Sequence, residues 1–200
     1  MLKSLPQLKE VMRLQAANQP AQALKAWQQL PPSLQGSKNL LIQRVNLARL
    51  VGEAEYNEAV GAFSRAFPSD PSLDLIQVDV FMSKKQYPQA MAAIERIART
   101  VGGDPYLDFL RGNVLYVMKD FAKSRAALAA AIATEPTLLG PWWTLVTMAV
   151  EEKNHDETAR LLTVLEKERG VEMGDLLGVE IYAEFAKSEA YKKWMRSRRK

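Results

Sequence analysis

The chain has 200 residues, of which 48% are hydrophobic and 25% are charged, a composition typical of a soluble globular or repeat protein. It contains no cysteine, which excludes disulfides, thiolate nucleophiles and cysteine metal ligands but leaves the redox compartment open. Six of its 27 Lys and Arg residues lie in the last nine positions, so the formal charge of +4 describes a slightly acidic body with a basic tail.

No segment of the sequence predicts export or a membrane span. The N-terminal stretch reaches Pro6, Lys9 and Glu10 before an apolar run of signal-peptide length can form. The longest mostly apolar stretch, residues 138–150, is shorter than the roughly 18 residues that a spanning helix needs. We therefore expect a soluble protein of the cytoplasm, or of the periplasm if the sequence is a piece of an exported protein.

Apolar residues at helical spacing predict pairs of helices along most of the chain, and no alternating pattern predicts a strand. The first helices of the pairs are expected at roughly 5–16, 38–52, 71–84, 105–118 and 141–152. Prolines mark the expected starts of first and second helices, where a missing N–H is harmless: Pro6, Pro20, Pro71, Pro88, Pro105 and Pro141. The predicted N-caps are Asp120 and Asp156, and the expected helix ends are Gly52, Gly102 and Gly170.

The second helices share one spacing, in which a small residue comes three positions after the first slot, a large apolar residue four later and another apolar residue three later. The five copies are Pro20, Ala23, Trp27 and Leu30; Tyr56, Ala59, Phe63 and Ala66; Tyr87, Ala90, Ile94 and Ile97; Phe121, Ser124, Leu128 and Ala131; His155, Thr158, Leu162 and Leu165. Their small residues are 36, 31, 34 and 34 positions apart. Self-similarity at this period indicates a solenoid of stacked helix pairs.

The fourth copy and the helix before it resemble the tetratricopeptide repeat (TPR), a 34-residue unit with the pattern W-x2-L-G-x2-Y…A-x3-F…P. The matching residues are Gly112, Leu115, Ser124, Leu128 and Pro136. Asp108 and Arg111 replace the tryptophan and the first leucine, which the next copy supplies as Trp142 and Leu145. The resemblance covers residues 5 to about 170, and it implies an all-α, right-handed superhelical solenoid of helix-turn-helix repeats.

We expect about five TPR-like helix pairs in residues 1–170 and capping helices with a basic tail in residues 171–200. The capping segment is predicted to contain an amphipathic helix with apolar residues at Leu176, Leu177, Ile181, Tyr182 and Phe185. A last short helix is expected to begin at Ser188 and to carry Tyr191 and Trp194. Caps of this kind shield the open apolar end of a repeat stack.

The TPR resemblance implies a concave surface lined by first-helix residues and used to bind another protein. The residues expected on it are Arg44, Ala48, Leu75, Asp79, Met82, Phe109, Asn113, Tyr116, Trp143 and Thr147. In family members that grip a chaperone carboxylate, the facing positions hold lysine, asparagine and arginine. Asn113 fits that pattern, whereas Leu75, Phe109 and Trp143 do not, so that ligand is disfavoured. The aromatic content favours an apolar peptide or an amphipathic helix, and hence a non-enzymatic scaffold or adaptor.

The sequence gives little support for catalysis or for a bound cofactor or metal. His155 is the only histidine, and no residues near it complete a catalytic triad. Gly102 and Gly103 precede a helix, but no phosphate-binding motif accompanies them. We therefore predict no enzyme activity, no cofactor and no metal site.

The basic tail supports an alternative function, which is contact with nucleic-acid phosphates beside Trp194. The residues that would make these contacts are Lys192, Lys193, Arg196, Arg198, Arg199 and Lys200. Anionic lipid is a further candidate for the same charges. A frayed, solvated chain end is the favoured explanation of the cluster, so nucleic acid is the less favoured partner.

Overall fold

The computed structural model describes residues 5–198, with side chains described from Pro6 onward. Every regular element in this range is helical, which confirms the predicted all-α class. The α-helices are α1 Leu5–Ala16, α2 Pro20–Gln28, α3 Pro32–Gln35, α4 Lys38–Val51, α5 Glu53–Ala66, α6 Pro71–Ser83, α7 Tyr87–Val101, α8 Pro105–Val117, α9 Phe121–Thr134, α10 Leu139–Glu151, α11 His155–Lys167, α12 Ala183–Ala186 and α13 Glu189–Arg198.

The chain folds as two compact units, Met1–Thr100 and Val101–Lys200. In the N-terminal unit, α1 packs on α2, α2 on α4 and α4 on α5, and α6 packs against both α4 and α5. In the C-terminal unit, α8 packs on α9, α9 on α10, α10 on α11 and α11 on α13. Antiparallel helix pairs therefore recur in each unit. The repeat-based division into residues 1–170 and 171–200 is retained as a proposal.

Side-chain caps fix several helix starts. Asp70, Asp104 and Asp120 each accept a hydrogen bond from a backbone N–H in the first turn of the helix that follows, at 2.9, 2.7 and 3.3 Å. The prediction that Asp156 is an N-cap is wrong, because α11 already begins at His155 and Asn154 caps it by accepting a hydrogen bond from the Glu157 N–H. Asp156 lies in the first turn, where its carboxylate interacts favourably with the helix dipole.

The turn between the two helices of a pair has a repeated backbone geometry. Asn18, Lys85, Lys119 and Lys153 each follow a first helix with a positive φ of 55° to 64°. The N–H of the next residue then bonds to the carbonyl five residues back, as in a Schellman helix end. The α4–α5 pair differs, since Gly52 is extended and α5 follows at once. In the other four pairs, this turn reverses the chain at the same point of the repeat.

The core of the N-terminal unit is built around two large aromatic side chains, Trp27 and Phe63, which are almost fully buried. The Trp27 indole N–H donates to the Leu40 carbonyl at 2.9 Å, so the buried ring also joins α2 to α4. Val45 and Leu47 contribute from α4. Trp27 and Phe63 occupy the large apolar slots of their second helices, as the spacing predicts.

The C-terminal unit uses the small slot of the repeat for close helix packing. Ser124 on α9 is fully buried, and its hydroxyl donates to the Gly112 carbonyl on α8 at 2.9 Å. A Cβ at Gly112 would lie 2.6 Å from a methyl carbon of Leu128, so only glycine fits there without movement. The two helices of this pair therefore approach more closely than larger residues would allow.

The predicted capping helix at residues 176–185 is wrong. Residues 171–179 are not helical, and only a 3₁₀ turn at Glu180–Tyr182 and the short α12 follow. Leu177 and Ile181 are 63% and 46% exposed, so the expected apolar face does not form. The Asp175 side chain bonds the Leu177 N–H at 2.9 Å, which favours a turn over a helix. The last helix is confirmed, and Ser188 caps it through the Tyr191 N–H.

Candidate functional site

The clearest grouping of predicted binding residues lies on α8 and α10, the first helices of two successive pairs in the C-terminal unit. The Phe109 ring lies directly over Gly140, where a Cβ would be 2.5 Å from the ring ζ carbon. One turn further along α8, the Asn113 side-chain oxygen accepts a hydrogen bond of 2.9 Å from the Thr144 hydroxyl. Residues four apart on α8 therefore contact residues four apart on α10.

Tyr116 continues this row by a further turn. Its hydroxyl donates to a carboxylate oxygen of Glu151 on α10 at 2.5 Å. Burial, followed by the bond to Glu151, raises the pKa of Tyr116 to about 12. The phenol is therefore a neutral, engaged donor at physiological pH. The Lys119 ammonium, 5.5 Å from the ring centre, covers part of its face.

Trp143 and Thr147 are the predicted residues on α10 itself. Both are half-buried, and the Thr147 hydroxyl donates to the Trp143 carbonyl at 3.0 Å. Trp143 packs against the buried cluster that includes Val146 and Leu162. This contact holds one side of the indole in place.

Tyr106 is an aromatic residue of this surface that the sequence analysis missed. Its ring centre is 5.7 Å from that of Phe109, and 44% of the residue is exposed. Its position three residues before Phe109 on α8 is the signal that would have identified it. We call Tyr106, Phe109, Tyr116 and Trp143 the aromatic face.

The residues predicted on α4, in the N-terminal unit, are more deeply placed. Arg44 pairs with Glu58 at 2.6 Å, its guanidinium carbon lies 5.2 Å from the centre of the Trp27 ring, and its side chain is only 13% exposed. It therefore braces α4 against α2 and α5. Ala48 is buried, so the expectation that it lines the binding surface is wrong: its short side chain points into the core.

The residues predicted on α6 share one side of that helix at intervals of four and three. Leu75 is 41% exposed, Asp79 is exposed and Met82 is half-buried, whereas the intervening Val78 is buried. The α6 surface is thus accessible, with a carboxylate between two apolar side chains.

The structure divides the basic tail into inward and outward residues. Arg198 turns inward, with hydrogen bonds of 2.7 Å to Glu166 and to the Met173 carbonyl and a cation–π contact of 4.7 Å with Trp194. Trp194 is only 3% exposed, so the predicted stacking on nucleic-acid bases is wrong. Lys192 pairs with Glu189 at 2.6 Å.

Of the remaining basic residues of the tail, Lys193 and Arg196 are exposed. Arg199 and Lys200 lie outside the described residues. The charge available for phosphate contacts in the described part of the tail is therefore smaller than the sequence suggests.

Residues 5–198 contain no group of three His, Asp or Glu side chains placed to hold a metal ion. His155 begins α11, with its ring 6.2 Å from that of Phe185. None of the helices in the described part of the chain is both long and apolar enough to cross a membrane.

The fold is similar to those of known helical-repeat structures. PilW, a widely conserved type IV pilus biogenesis factor, superposes with a TM-score of 0.70 at 14% identity, covering 97% of this chain and 91% of that one. Residues 41 to the end of MamA from Desulfovibrio magneticus RS-1 give a TM-score of 0.60 at 19% identity, covering 86% and 98% of the two chains. A double mutant of MamA from strain RS-1 gives 0.59 at 20%, covering 84% and 96%.

No protein-family model and no curated protein matches the sequence. PilW and MamA are all-α proteins of TPR-like repeats, so the predicted fold class, a TPR-type helical solenoid, is confirmed. At these levels of identity, the likeness concerns the fold.

Proposed function

We propose that this chain is a non-enzymatic protein-interaction module that holds an apolar peptide or an amphipathic helix of a partner protein against its first helices. The proposed principal contacts are the aromatic face with Asn113 and Thr147 on α8 and α10, and Leu75, Asp79 and Met82 on α6. Arg44 is proposed to support the first helices of the N-terminal unit from within.

The observation that carries the proposal is that three polar side chains of the α8–α10 surface, Asn113, Tyr116 and Thr147, are already bonded within the protein. Asn113 binds Thr144, Tyr116 binds Glu151 and Thr147 binds the Trp143 carbonyl. The exposed part of this surface is largely aromatic. A partner would therefore bind it mainly by burying apolar area, with few hydrogen bonds. A surface of fixed aromatic rings also loses little conformational entropy on binding.

An apolar segment suits this surface better than a charged one. Rigid aromatic side chains at the centre of an interface typically cost about 2 kcal/mol or more when truncated. Helix-in-groove recognition places apolar residues at i, i+3, i+4 and i+7 against such a surface. The fold shared with PilW and MamA is consistent with a scaffold, and the partners of those proteins are not transferred to this chain.

The test is a nuclease-treated pull-down from lysate of the source cells, with captured proteins identified by mass spectrometry. We compare the intact chain with Phe109→Ala/Trp143→Ala and with the exposed single change Tyr106→Ala, at about 0.15 M and 1 M salt. Capture through the aromatic face persists at 1 M salt, because apolar contacts are not screened, and it falls in both variants.

The matched control is Leu177→Ala/Ile181→Ala, which removes exposed apolar side chains elsewhere in the same unit. Circular dichroism establishes that each variant keeps its helix content. Equal capture by the intact chain and both aromatic-face variants would refute the proposal. Loss of capture in the control variant as well would show that the contact is non-specific.

A further inference from the structure

A surface pocket of about 230 Å³ lies within the N-terminal unit, where the ends of α4 and α6 meet the start of α5. Its walls are formed by Arg49, Gly52, Glu53, Tyr56, Val80, Ser83 and Lys84. None of these residues is among those proposed to contact a partner protein. The pocket therefore requires a separate explanation.

Two hydrogen-bonding groups in this pocket have no partner of their own. The Tyr56 hydroxyl oxygen is buried and forms no hydrogen bond with any part of the chain that the structure describes. Arg49 has no carboxylate within ion-pair range among residues 5–198. Buried polar groups are nearly always hydrogen-bonded in folded proteins, so an unbonded hydroxyl beside a pocket indicates a place for an acceptor.

Arg49 and Tyr56 act on each other electrostatically. Burial raises the pKa of the Tyr56 phenol, and the positive charge of Arg49 opposes that shift. Both residues line the same pocket, Arg49 from the end of α4 and Tyr56 from the start of α5. A planar guanidinium and a phenol O–H together present several donors, which suits a group with two or more acceptor oxygens.

The other charges of the pocket leave it net positive. Lys84 pairs with Glu53 at 3.0 Å, so these two charges offset each other. The Ser83 hydroxyl donates to the Val80 carbonyl at 2.9 Å, which leaves its oxygen as an acceptor. The lining residues carry a net charge of +1, which belongs to the solvent-exposed Arg49, and the Glu55 carboxylate lies beside Gly52 at the edge of the pocket. The positive lining favours an anion.

We propose that this pocket binds an oxyanion, a carboxylate or a phosphate, which accepts hydrogen bonds from Arg49 and from the Tyr56 hydroxyl. The site is a small-ligand pocket at the ends of helices, distinct from the first-helix surface proposed for protein binding. It does not depend on that function.

The test is a titration of the ¹⁵N-labelled chain with sodium phosphate and, separately, with sodium acetate, at constant ionic strength maintained with chloride. Saturable shifts of the amides of Gly52, Glu53 and Tyr56 are expected with at least one of the two anions. Saturation by phosphate alone assigns the site to phosphates, and saturation by acetate alone assigns it to carboxylates. Linear, unsaturated shifts with both anions would overturn the proposal.

Three variants test the assignment. Arg49→Gln is expected to weaken binding about tenfold or more, because it removes a charge-assisted bond, and Tyr56→Phe by a few-fold, because it removes a neutral one. Arg99→Gln removes the same charge from the exposed end of α7 and is expected to leave affinity unchanged. Equal weakening in Arg49→Gln and Arg99→Gln would indicate a general charge effect and overturn the site. Circular dichroism checks folding, and Tyr56→Phe preserves the ring.

Discussion

The small residues of the repeat show what can and cannot be deduced one residue at a time. The spacing predicts that Ala23, Ala59, Ala90, Ser124 and Thr158 occupy equivalent positions, and all five are fully buried. Spacing does not explain how polar residues are accepted in two of these positions. The structure does: Ser124 donates to the Gly112 carbonyl, and Thr158 donates to the Asn154 carbonyl at 2.9 Å. A local acceptor removes the cost of burying a hydroxyl.

The binding-surface residues were predictable only in part. The repeat register predicts which side of each first helix they occupy, and Phe109 and Tyr116 lie seven positions apart on α8. It does not reveal that Arg44 is held by Trp27 and Glu58, because those contacts join residues far apart in the chain. It also gives no indication of the Arg49–Tyr56 pocket.

Gly112→Ala is expected to destabilise the protein although alanine is the better helix former. Alanine gains up to about 1 kcal/mol in helix propensity, but its Cβ would lie 2.6 Å from Leu128, and overpacking costs about 1–3 kcal/mol. We expect a net loss of about 1 kcal/mol in the free energy of unfolding, measured by urea denaturation. Gly61→Ala is the control, since its Cβ meets only the Arg65 side-chain end at 3.4 Å. If both changes stabilise the chain, then the packing of α8 against α9 has room for a Cβ at position 112, and the predicted clash with Leu128 is refuted.

At the scale of whole helices, starts were predicted better than the C-terminal segment. Proline and the N-cap aspartates act on the first turn alone, so a short sequence pattern is sufficient to place a start. Residues 171–179 depend on distant contacts instead. Arg198 holds the Met173 carbonyl from 25 positions away, and Val171, Met173 and Leu176 pack on the buried cluster of the last helices. Periodicity over a short window does not contain that information.

Asp70→Asn separates helix capping from ion pairing at the start of α6. Asparagine keeps the cap on the Ser72 N–H but loses the 2.7 Å ion pair with Lys38, which begins α4. The hydrogen bond from the Lys38 ammonium lowers the pKa of Asp70 in the folded protein below the ordinary pKa of an aspartate. The ion pair therefore stabilises the fold fully at pH values above that ordinary pKa, and this stabilisation is lost as the pH falls through the folded-state pKa of Asp70. We expect Asn to lower stability by about 0.5 kcal/mol at pH 7 and by nothing near pH 2.

Urea unfolding of the two proteins at several pH values measures this difference. A difference that stays constant down to pH 2 would show that the ion pair contributes nothing. Glu10, paired with Arg13 on the exposed surface of α1, provides a comparison through Glu10→Gln. That change is expected to leave stability nearly unaltered, because fully exposed pairs contribute little.

At the scale of the whole molecule, the period near 34 residues was sufficient to predict the fold class. It predicts helix pairs and their neighbours, since each repeat in such a fold contacts only the adjacent repeats. It does not predict that the chain groups into two compact units at residue 100. Compactness depends on how tightly particular repeats pack, which the repeat pattern alone does not specify.

The separate cores predict separate responses to core mutations. Phe63→Ala removes a fully buried ring from the N-terminal unit, and Leu162→Ala truncates a fully buried side chain in the C-terminal unit, at about 2–5 kcal/mol each. Hydrogen exchange read by mass spectrometry is expected to show the larger loss of protection in the unit that carries the change. An equal loss in both units from either change would mean that the chain opens as one cooperative body.

The turns at Lys85, Lys119 and Lys153 recur every 34 positions with the same left-handed residue. Because these turns are evenly spaced, the chain keeps its helix packing when it gains or loses length only in units of whole repeats. Duplicating the 34 residues from Lys119 to Glu152 would add one turn, one second helix and one first helix, and each new helix would meet neighbours of the kind that the old one already has. An insertion of ten or twenty residues inside a helix would instead shift every later slot out of register. The turn geometry thus makes whole-repeat duplication and loss the accessible route by which relatives of this chain would come to differ in length.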